Sequence, residues 1–198
     1  MLFFLTGEVQ IGKTRWLMDA IAQLAERGVE PCGVIAPGQW VPRDGGFEKL
    51  GIDNMLLPER QLVPFARRRD LAEANGALDE HSQSEQAHLQ WAIDDDAIAQ
   101  VNTHFDALSQ WHDPGRRLLV VDELGRLELL ANGGLTSAVA LLDRGATPVF
   151  PHALIVVRAG LLDVAHERFS TAPWNGMHDI APDEAALRML ASNVAGEA

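Results

Sequence analysis

Short apolar runs alternate along the chain with stretches in which apolar residues recur at helical spacing. Residues 2–5 form the first run and predict a buried strand. From Lys13 to Gly28 apolar residues recur every three or four positions, which predicts a helix ended by that glycine. Residues 32–35 form a second apolar run, and the order of strand, helix and strand implies a right-handed crossover in a parallel sheet.

The pattern changes after residue 36. Residues 39–52 contain the turn Asp44-Gly45-Gly46 between two short extended runs, which predicts a β-hairpin outside the main α/β alternation. Residues 62–65 predict one more short strand.

A polar segment follows at residues 67–93, and it has no clear strand pattern. We expect it to form a surface insertion or lid. His81, Glu85 and His88 are spaced to share one helical face, which we interpret as a solvated face because a metal site needs more ligands than these three residues provide.

The second half of the chain returns to alternating strands and helices. Asp94-Asp95-Asp96 precedes a helical run and predicts an N-cap with first-turn acids that complement the helix dipole. Residues 118–121 and 153–157 predict buried strands. We therefore expect an α/β fold in one domain over residues 1–198, with the hairpin and lid-like insertion at about 36–112.

The segment between the first strand and the first helix is Gly7-Glu8-Val9-Gln10-Ile11-Gly12-Lys13-Thr14. It has the spacing G-x-x-x-x-G-K-[ST] in the strand–loop–helix context that identifies a phosphate-binding loop. Backbone N–H groups at the helix start favour anions, and Lys13 adds a charge for the β- and γ-phosphates. The Thr14 hydroxyl is placed to ligate Mg²⁺. The loop therefore predicts a site for a nucleoside triphosphate with its metal.

A second set of charged residues follows the later strands. Asp122 and Glu123 end the run at residues 118–121, and Arg158 ends the run at residues 153–157. The carboxyl ends of parallel strands meet at the edge where the phosphate loop also lies. Asp122 is expected to hold Mg²⁺ together with Thr14, Glu123 to position or deprotonate a water, and Arg158 to stabilise charge on the transferring phosphoryl group.

Composition and charge exclude several classes of function. The 198 residues carry a net charge of −12, which argues against the broad basic surface used to bind nucleic acid. No segment approaches the ~18 consecutive apolar residues of a membrane span, so we expect a cytoplasmic protein. Cys32 lies in an apolar run and is expected to be a buried thiol. The basic run at residues 67–69 is expected to be a solvated loop rather than a phosphate or partner contact.

The segment from Asp122 to Leu129 reads Asp-Glu-Leu-Gly-Arg-Leu-Glu-Leu. It resembles the Asp-Glu-Ile-Gly-x-Met-Glu-Leu signature of the small P-loop nucleoside-triphosphatases first described from thermophiles, whose relatives include the cancer-related nucleoside-triphosphatase. The resemblance covers about the first 57 residues and residues 116–180. It departs from the family at Gln10, where a third loop glycine is usual, and in the segment 67–93.

This resemblance implies a three-layer P-loop core with a mainly parallel sheet and an added strand between the loop strand and the Asp-Glu strand. It also implies Mg²⁺-dependent hydrolysis of ATP, GTP and other nucleoside triphosphates, with Glu123 serving hydrolysis. Glu128 is a recurrent acid of this pattern, and either a site function or a salt bridge at a helix start or in a hairpin accounts for it.

Two other functions remain open. A small-molecule or nucleoside kinase uses the same loop but passes the phosphoryl group to an acceptor bound by the hairpin and the segment 67–93. A nucleotide-gated switch binds nucleotide, and has negligible turnover until a protein partner is present. The adjacent Asp122-Glu123 pair favours water as the acceptor, because a kinase has no need of a water-activating glutamate.

Overall fold

The computed structural model describes residues 1–8 and 11–196, and within these residues lie nine strands and eight α-helices. The strands are β1 (Leu2–Leu5), β2 (Glu30–Ile35), β3 (Gly38–Arg43), β4 (Gly46–Leu57), β5 (Gln61–Arg68), β6 (Trp91–Ile93), β7 (Arg117–Leu124), β8 (His152–Val157) and β9 (Met177–Ile180). The helices are α1 (Lys13–Glu26), α2 (Arg69–Ala74), α3 (Gln83–Gln86), α4 (Asp95–Ser109), α5 (Arg126–Leu130), α6 (Thr136–Asp143), α7 (Leu162–Phe169) and α8 (Glu184–Val194).

These strands form a single mixed sheet with the order β6-β5-β4-β2-β7-β8-β1-β9, and β3 pairs with β4. Strands β2, β7, β8, β1 and β9 run parallel, and we call them the parallel core. Strands β3 to β6 pair antiparallel, and we call them the antiparallel extension. The expected added strand is confirmed, because β8 lies between β1 and β7.

Helices cover both faces of the parallel core and make three layers. Strand β1 shows why, since its side chains alternate between two hydrophobic clusters. Leu2 and Phe4 pack in the cluster that contains α4, α6 and α7. Phe3 and Leu5 pack in the cluster that contains α1 and α8. The parallel strands are therefore buried on both sides, which is why they read as continuous apolar runs in the sequence.

The antiparallel extension confirms the hairpin and corrects the prediction for the polar segment. Strands β3 and β4 form the hairpin, and the predicted strand at residues 62–65 is part of β5. The expectation that residues 67–93 contain no strand is wrong, because β6 pairs with β5. This strand has only three residues, too few for an alternating pattern to be recognised.

The expected helical face of His81, Glu85 and His88 is also wrong. Helix α3 spans only Gln83–Gln86, and His88 has a left-handed φ of 51°. Across the described residues, no group of three or more His, Cys, Asp or Glu side chains is placed to hold a metal ion.

The local predictions for Asp94 and Cys32 agree with the structure, and the prediction for the basic run does not. The Asp94 side chain caps α4 by accepting hydrogen bonds from the backbone N–H groups of Asp96 and Ala97. The expected solvated loop at residues 67–69 is wrong, because Arg67 and Arg68 belong to β5 and Arg69 begins α2. Arg68 pairs with Glu48 and Asp70, and Arg69 pairs with Glu85. Cys32 is buried, and burial raises the pKa of its thiol to about 12. Within the ranges that the structure describes, no helix combines the length and apolarity needed to cross a membrane.

Candidate functional site

The predicted phosphate loop connects β1 to α1. Gly12 precedes the helix with a left-handed φ of 95°, a conformation that glycine adopts without strain. This turn lets α1 begin at Lys13 with its first N–H groups directed toward the loop. Val9 and Gln10 lie outside the described residues, so the predicted effect of Gln10 on the loop stays a prediction.

The Lys13 side chain folds back over the loop. Its Nζ donates hydrogen bonds to the carbonyl oxygens of Gly7 at 2.9 Å and Glu8 at 2.8 Å. Lys13 is only 9 % exposed. The ammonium group is therefore held inside the turn between β1 and α1, where a bound phosphate would contact it.

Thr14 and Asp122 lie together at the base of the loop. Asp122 comes from the carboxyl end of β7, is 4 % exposed, and accepts hydrogen bonds from the Thr14 hydroxyl and from the Ala36 N–H at 3.1 Å. Burial raises the pKa of the Asp122 carboxyl to about 6, and these two hydrogen bonds oppose that shift.

This pair of oxygen donors fits a magnesium ion. Mg²⁺ usually takes one or two protein ligands and completes its shell with water and substrate phosphates. A hydroxyl and a carboxylate already in contact, beside a phosphate loop, are such a donor set. The residues that would hold the ion are therefore Thr14 and Asp122, the two predicted from the sequence.

Glu123 and Arg158 form an ion pair at the same edge of the sheet. Arg158 follows β8, and its Nε donates to Glu123 Oε1 at 2.5 Å. The pair is open to solvent, with the Arg158 side chain 52 % exposed and the Glu123 side chain 32 % exposed. Both residues thus lie at the predicted sheet edge, and the Arg158 guanidinium is paired with the Glu123 carboxylate.

Lys49 is a further residue of the site, and no motif in the sequence predicts it. It projects from β4 in the antiparallel extension, with Nζ 5.9 Å from the centroid of the Trp40 ring and 5.4 Å from that of Trp91. Burial lowers the pKa of Lys49, whereas the charges of Asp122 and Glu123 raise it. Lys49 therefore lies within electrostatic range of the carboxylate pair.

Gly38 makes room for this arrangement. A Cβ at position 38 would lie 2.6 Å from Lys49 Cε and 2.6 Å from Trp40 Nε1. One signal in the sequence pointed to Lys49: it is the second of only two lysines in the chain. Its approach to the β7 edge depends on hairpin pairing, which residue spacing alone does not reveal.

The Glu128 side chain binds backbone N–H groups at both ends of the segment that contains α5. Its two carboxylate oxygens accept hydrogen bonds from the N–H groups of Gly125 at 2.8 Å and Leu135 at 3.0 Å. Burial raises the pKa of Glu128, and these two backbone bonds oppose the shift. The carboxylate caps the start of α5 and ties it to the start of the next helix, a helix-start role made by backbone hydrogen bonds rather than by a salt bridge.

One cleft of about 650 Å³ is bordered by Thr14, Lys49, Asp122, Glu123, Glu128 and Arg158. At one end it is lined by Gly7, Glu8 and Thr14 of the loop, with Asp122, Glu123 and Arg158 beside them. The cleft then continues past Lys49 into the antiparallel extension. Volumes of this size are typical of small-molecule sites.

Comparison with known proteins identifies a structural neighbour. No protein-family model matches the chain, and no curated protein matches it in sequence. The chain is similar to the solution structure of a human cancer-related nucleoside triphosphatase, with a TM-score of 0.60 and 20 % sequence identity. The match covers 98 % of this chain and 95 % of that one. At this identity the likeness shows a shared α/β fold.

Proposed function

We propose that the protein is a Mg²⁺-dependent nucleoside-triphosphatase that cleaves ATP, GTP and related nucleotides to the diphosphate and phosphate. The observation that carries the proposal is the convergence of four groups at one sheet edge: the Lys13 ammonium in its loop, the contact between Thr14 and Asp122, and the carboxylate of Glu123. The name of the structural neighbour agrees with this activity.

In this proposal the loop N–H groups and Lys13 bind the β- and γ-phosphates, and Thr14 with Asp122 would hold the metal. Mg²⁺, when bound there, neutralises charge on the phosphate oxygens. Glu123 accepts a proton from a water whose oxygen attacks the γ-phosphorus. The bond between the γ-phosphorus and the bridging oxygen breaks, and the nucleoside diphosphate leaves.

The ion pair of Glu123 with Arg158 must open for Glu123 to act as the base. Solvent-exposed pairs of this kind contribute about 0–1 kcal/mol, so a γ-phosphate can compete for Arg158 at low cost. Arg158 then stabilises charge on the transferring phosphoryl group, and the Glu123 carboxylate becomes free to accept the proton. Lys49 supplies a further cation in the lining of the cleft.

The direct test is phosphate release from ATP, GTP, CTP and UTP with and without Mg²⁺. We expect release that requires Mg²⁺ in the wild type. Glu123→Gln should lower it by about 10²–10⁴-fold, the usual contribution of a general base, while nucleotide affinity stays close to that of the wild type. Release that is unchanged in Glu123→Gln would contradict the role of this residue.

A further inference from the structure

The cleft extends beyond Glu123 into a chamber formed by the antiparallel extension. We define the chamber by six lining residues, which are Ile52, Asn54, Phe65, Ala66, Trp91 and Ile93. Five of these side chains are apolar or aromatic, and Phe65 and Trp91 provide flat rings. Hydrolysis at the γ-phosphate needs only a water as the acceptor, whereas this part of the cleft of about 650 Å³ is lined mainly by apolar and aromatic side chains.

Asn54 is the polar member of the chamber, and its amide lacks a partner. The residue is 2 % exposed, and Nδ2 has no hydrogen-bond partner in the structure. Leaving such a donor unsatisfied costs about 1–3 kcal/mol. Buried polar groups in native proteins are nearly always paired with protein, water or ligand. Asn54 therefore indicates a ligand with a hydrogen-bond acceptor at this position.

The sheet order shows which side of the nucleotide the chamber faces. The extension joins the parallel core through β2, next to β7, so it lies on the side of β7 away from β1 and its loop. In the sheet, β7 carries Asp122 and Glu123 and lies between the extension and β1 with its loop. A molecule in the chamber therefore approaches the γ-phosphate from the side of Glu123, where an attacking group must stand.

The chamber also limits the chemistry of its occupant. Aromatic walls favour a flat ring system, and the Asn54 amide favours a ring nitrogen or carbonyl oxygen at the ring edge. The position beside Glu123 favours a hydroxyl group that can lose a proton. A nucleoside combines a flat heteroaromatic base, acceptor atoms at its edge and a hydroxyl group.

We propose that the chamber binds a nucleoside as an alternative phosphoryl acceptor, an inference that rests on the phosphate site of the proposed function. The nucleoside hydroxyl oxygen attacks the γ-phosphorus, and its proton passes to Glu123. The bond from the γ-phosphorus to the bridging oxygen breaks, and its electron pair leaves with the nucleoside diphosphate. The products are a nucleoside monophosphate and a nucleoside diphosphate.

The test uses ATP labelled at the γ-phosphate, Mg²⁺, and in turn adenosine, guanosine, cytidine, uridine and thymidine. The label is measured separately in inorganic phosphate and in nucleoside monophosphate. We expect at least one nucleoside to become labelled. Label that enters only phosphate with all five nucleosides overturns the acceptor site but leaves the proposed hydrolysis intact. Label that enters neither product contradicts the proposed function itself.

Asn54→Leu tests whether the nucleoside that becomes labelled is bound in the chamber. We expect labelling of the nucleoside to fall about tenfold, the effect of losing one buried hydrogen bond worth about 1.4 kcal/mol, with a larger share of label going to phosphate. Replacing an unpaired buried amide by an apolar group of similar size should preserve the fold. Asn75→Leu, on an exposed helix end, is the matched control and should leave the partition of label unchanged.

A second variant guards against misfolding. Should Asn54→Leu fail to fold, Trp91→Leu removes one flat wall of the chamber and should lower labelling of the nucleoside in the same way. An unchanged partition of label in a folded Asn54→Leu or Trp91→Leu protein overturns the assignment of the chamber.

Discussion

The parallel core and the antiparallel extension differ in how their residues are buried and in what they bring to the cleft. Every residue of β1 is fully buried, and so are the central residues of β7 and β8. The hairpin of the extension, in contrast, leaves Trp40 at 48 % and Phe47 at 73 % exposure. The core is stabilised by burial on both faces, whereas the extension is covered less completely.

The two regions also supply different chemistry. The core contributes Lys13, Thr14, Asp122 and Glu123, to which the proposed function gives roles toward phosphate, metal and proton transfer. The extension contributes Lys49 and the chamber around Asn54, which line the same cleft as Thr14, Asp122 and Glu123. The difference suggests that the core determines which bond is broken, and that the extension determines what receives the phosphoryl group.

Lys13→Ala should produce the largest effect, because it removes the core's charge for the triphosphate. Charged hydrogen bonds contribute about 1.5–3 kcal/mol each, so we expect triphosphate affinity to fall by about a hundredfold. Isothermal titration with a non-hydrolysable ATP analogue and Mg²⁺ measures this change. Arg15→Ala, at the first exposed position of α1, is the control. Equal affinity in the Lys13 variant and the wild type would contradict the loop assignment.

Asp122→Asn should stabilise the nucleotide-free protein while removing its function. The pKa of this carboxyl is about 6 in the folded state against an ordinary 3.8, so the folded state binds more protons between these values. Folding stability therefore falls as the pH rises from about 3.8 to about 6, and stays lowered above that range. The penalty is at most about 3 kcal/mol, since one pKa unit corresponds to about 1.4 kcal/mol.

Thermal melts at about pH 7.5 and about pH 4.5 test this prediction. We expect Asp122→Asn to melt above the wild type at the higher pH, with a smaller difference at the lower pH. The amide keeps an oxygen for the Ala36 N–H, and the Thr14 hydroxyl can turn to accept from its nitrogen. A variant that melts below the wild type at both pH values would show that the buried charge does not limit core stability.

The sequence predicts the parallel core well because each of its strands is recognisable from a short run of neighbouring residues. Each buried strand is a continuous apolar run, and the residues that follow such runs in β7 and β8 must meet at one edge. The sequence therefore predicts that Asp122, Glu123 and Arg158 lie together at that edge, and the structure places them there. The phosphate loop adds a fixed spacing between Gly7 and Thr14 that few other structures require.

The extension is less predictable because its contacts depend on pairing between distant residues. The position of Lys49 follows from the pairing of β4 with β3 and β2, and that of Trp91 from the pairing of β6 with β5. Likewise, Glu128 caps a backbone segment seven residues away, which the acid-rich signature does not reveal. These residues acquire their roles only when the sheet is complete.

Lys49→Gln tests whether the extension takes part in the chemistry of the core. We expect phosphate release to fall about tenfold, the effect of losing one charged contact of about 1.4 kcal/mol, and Lys49→Arg to retain more of the activity. Nucleotide should also draw Lys49 away from the Trp40 and Trp91 rings. Tryptophan emission should then change on binding in the wild type and much less in Lys49→Gln.

Arg43→Gln is the matched control for Lys49. It removes a cation from the same hairpin, where Arg43 forms an exposed ion pair with Glu48. Such pairs contribute little, so its phosphate release should match that of the wild type. If Lys49→Gln and Arg43→Gln release phosphate at the same rate, the Lys49 charge does not contribute to the reaction. The antiparallel extension would then have no part in hydrolysis.

Gly38→Ala should have the smallest effect. It tests whether the position of Lys49 matters, because it moves the side chain and keeps its charge. The new methyl group would meet the ends of the Lys49 and Trp40 side chains, which are flexible, so the fold should keep its melting temperature. Displacing Lys49 should lower phosphate release by about twofold to fivefold, or up to about 1 kcal/mol. In a Lys49→Gln background the same change should have no further effect. If Gly38→Ala lowers phosphate release equally in the wild type and in Lys49→Gln, Gly38 does not act through Lys49.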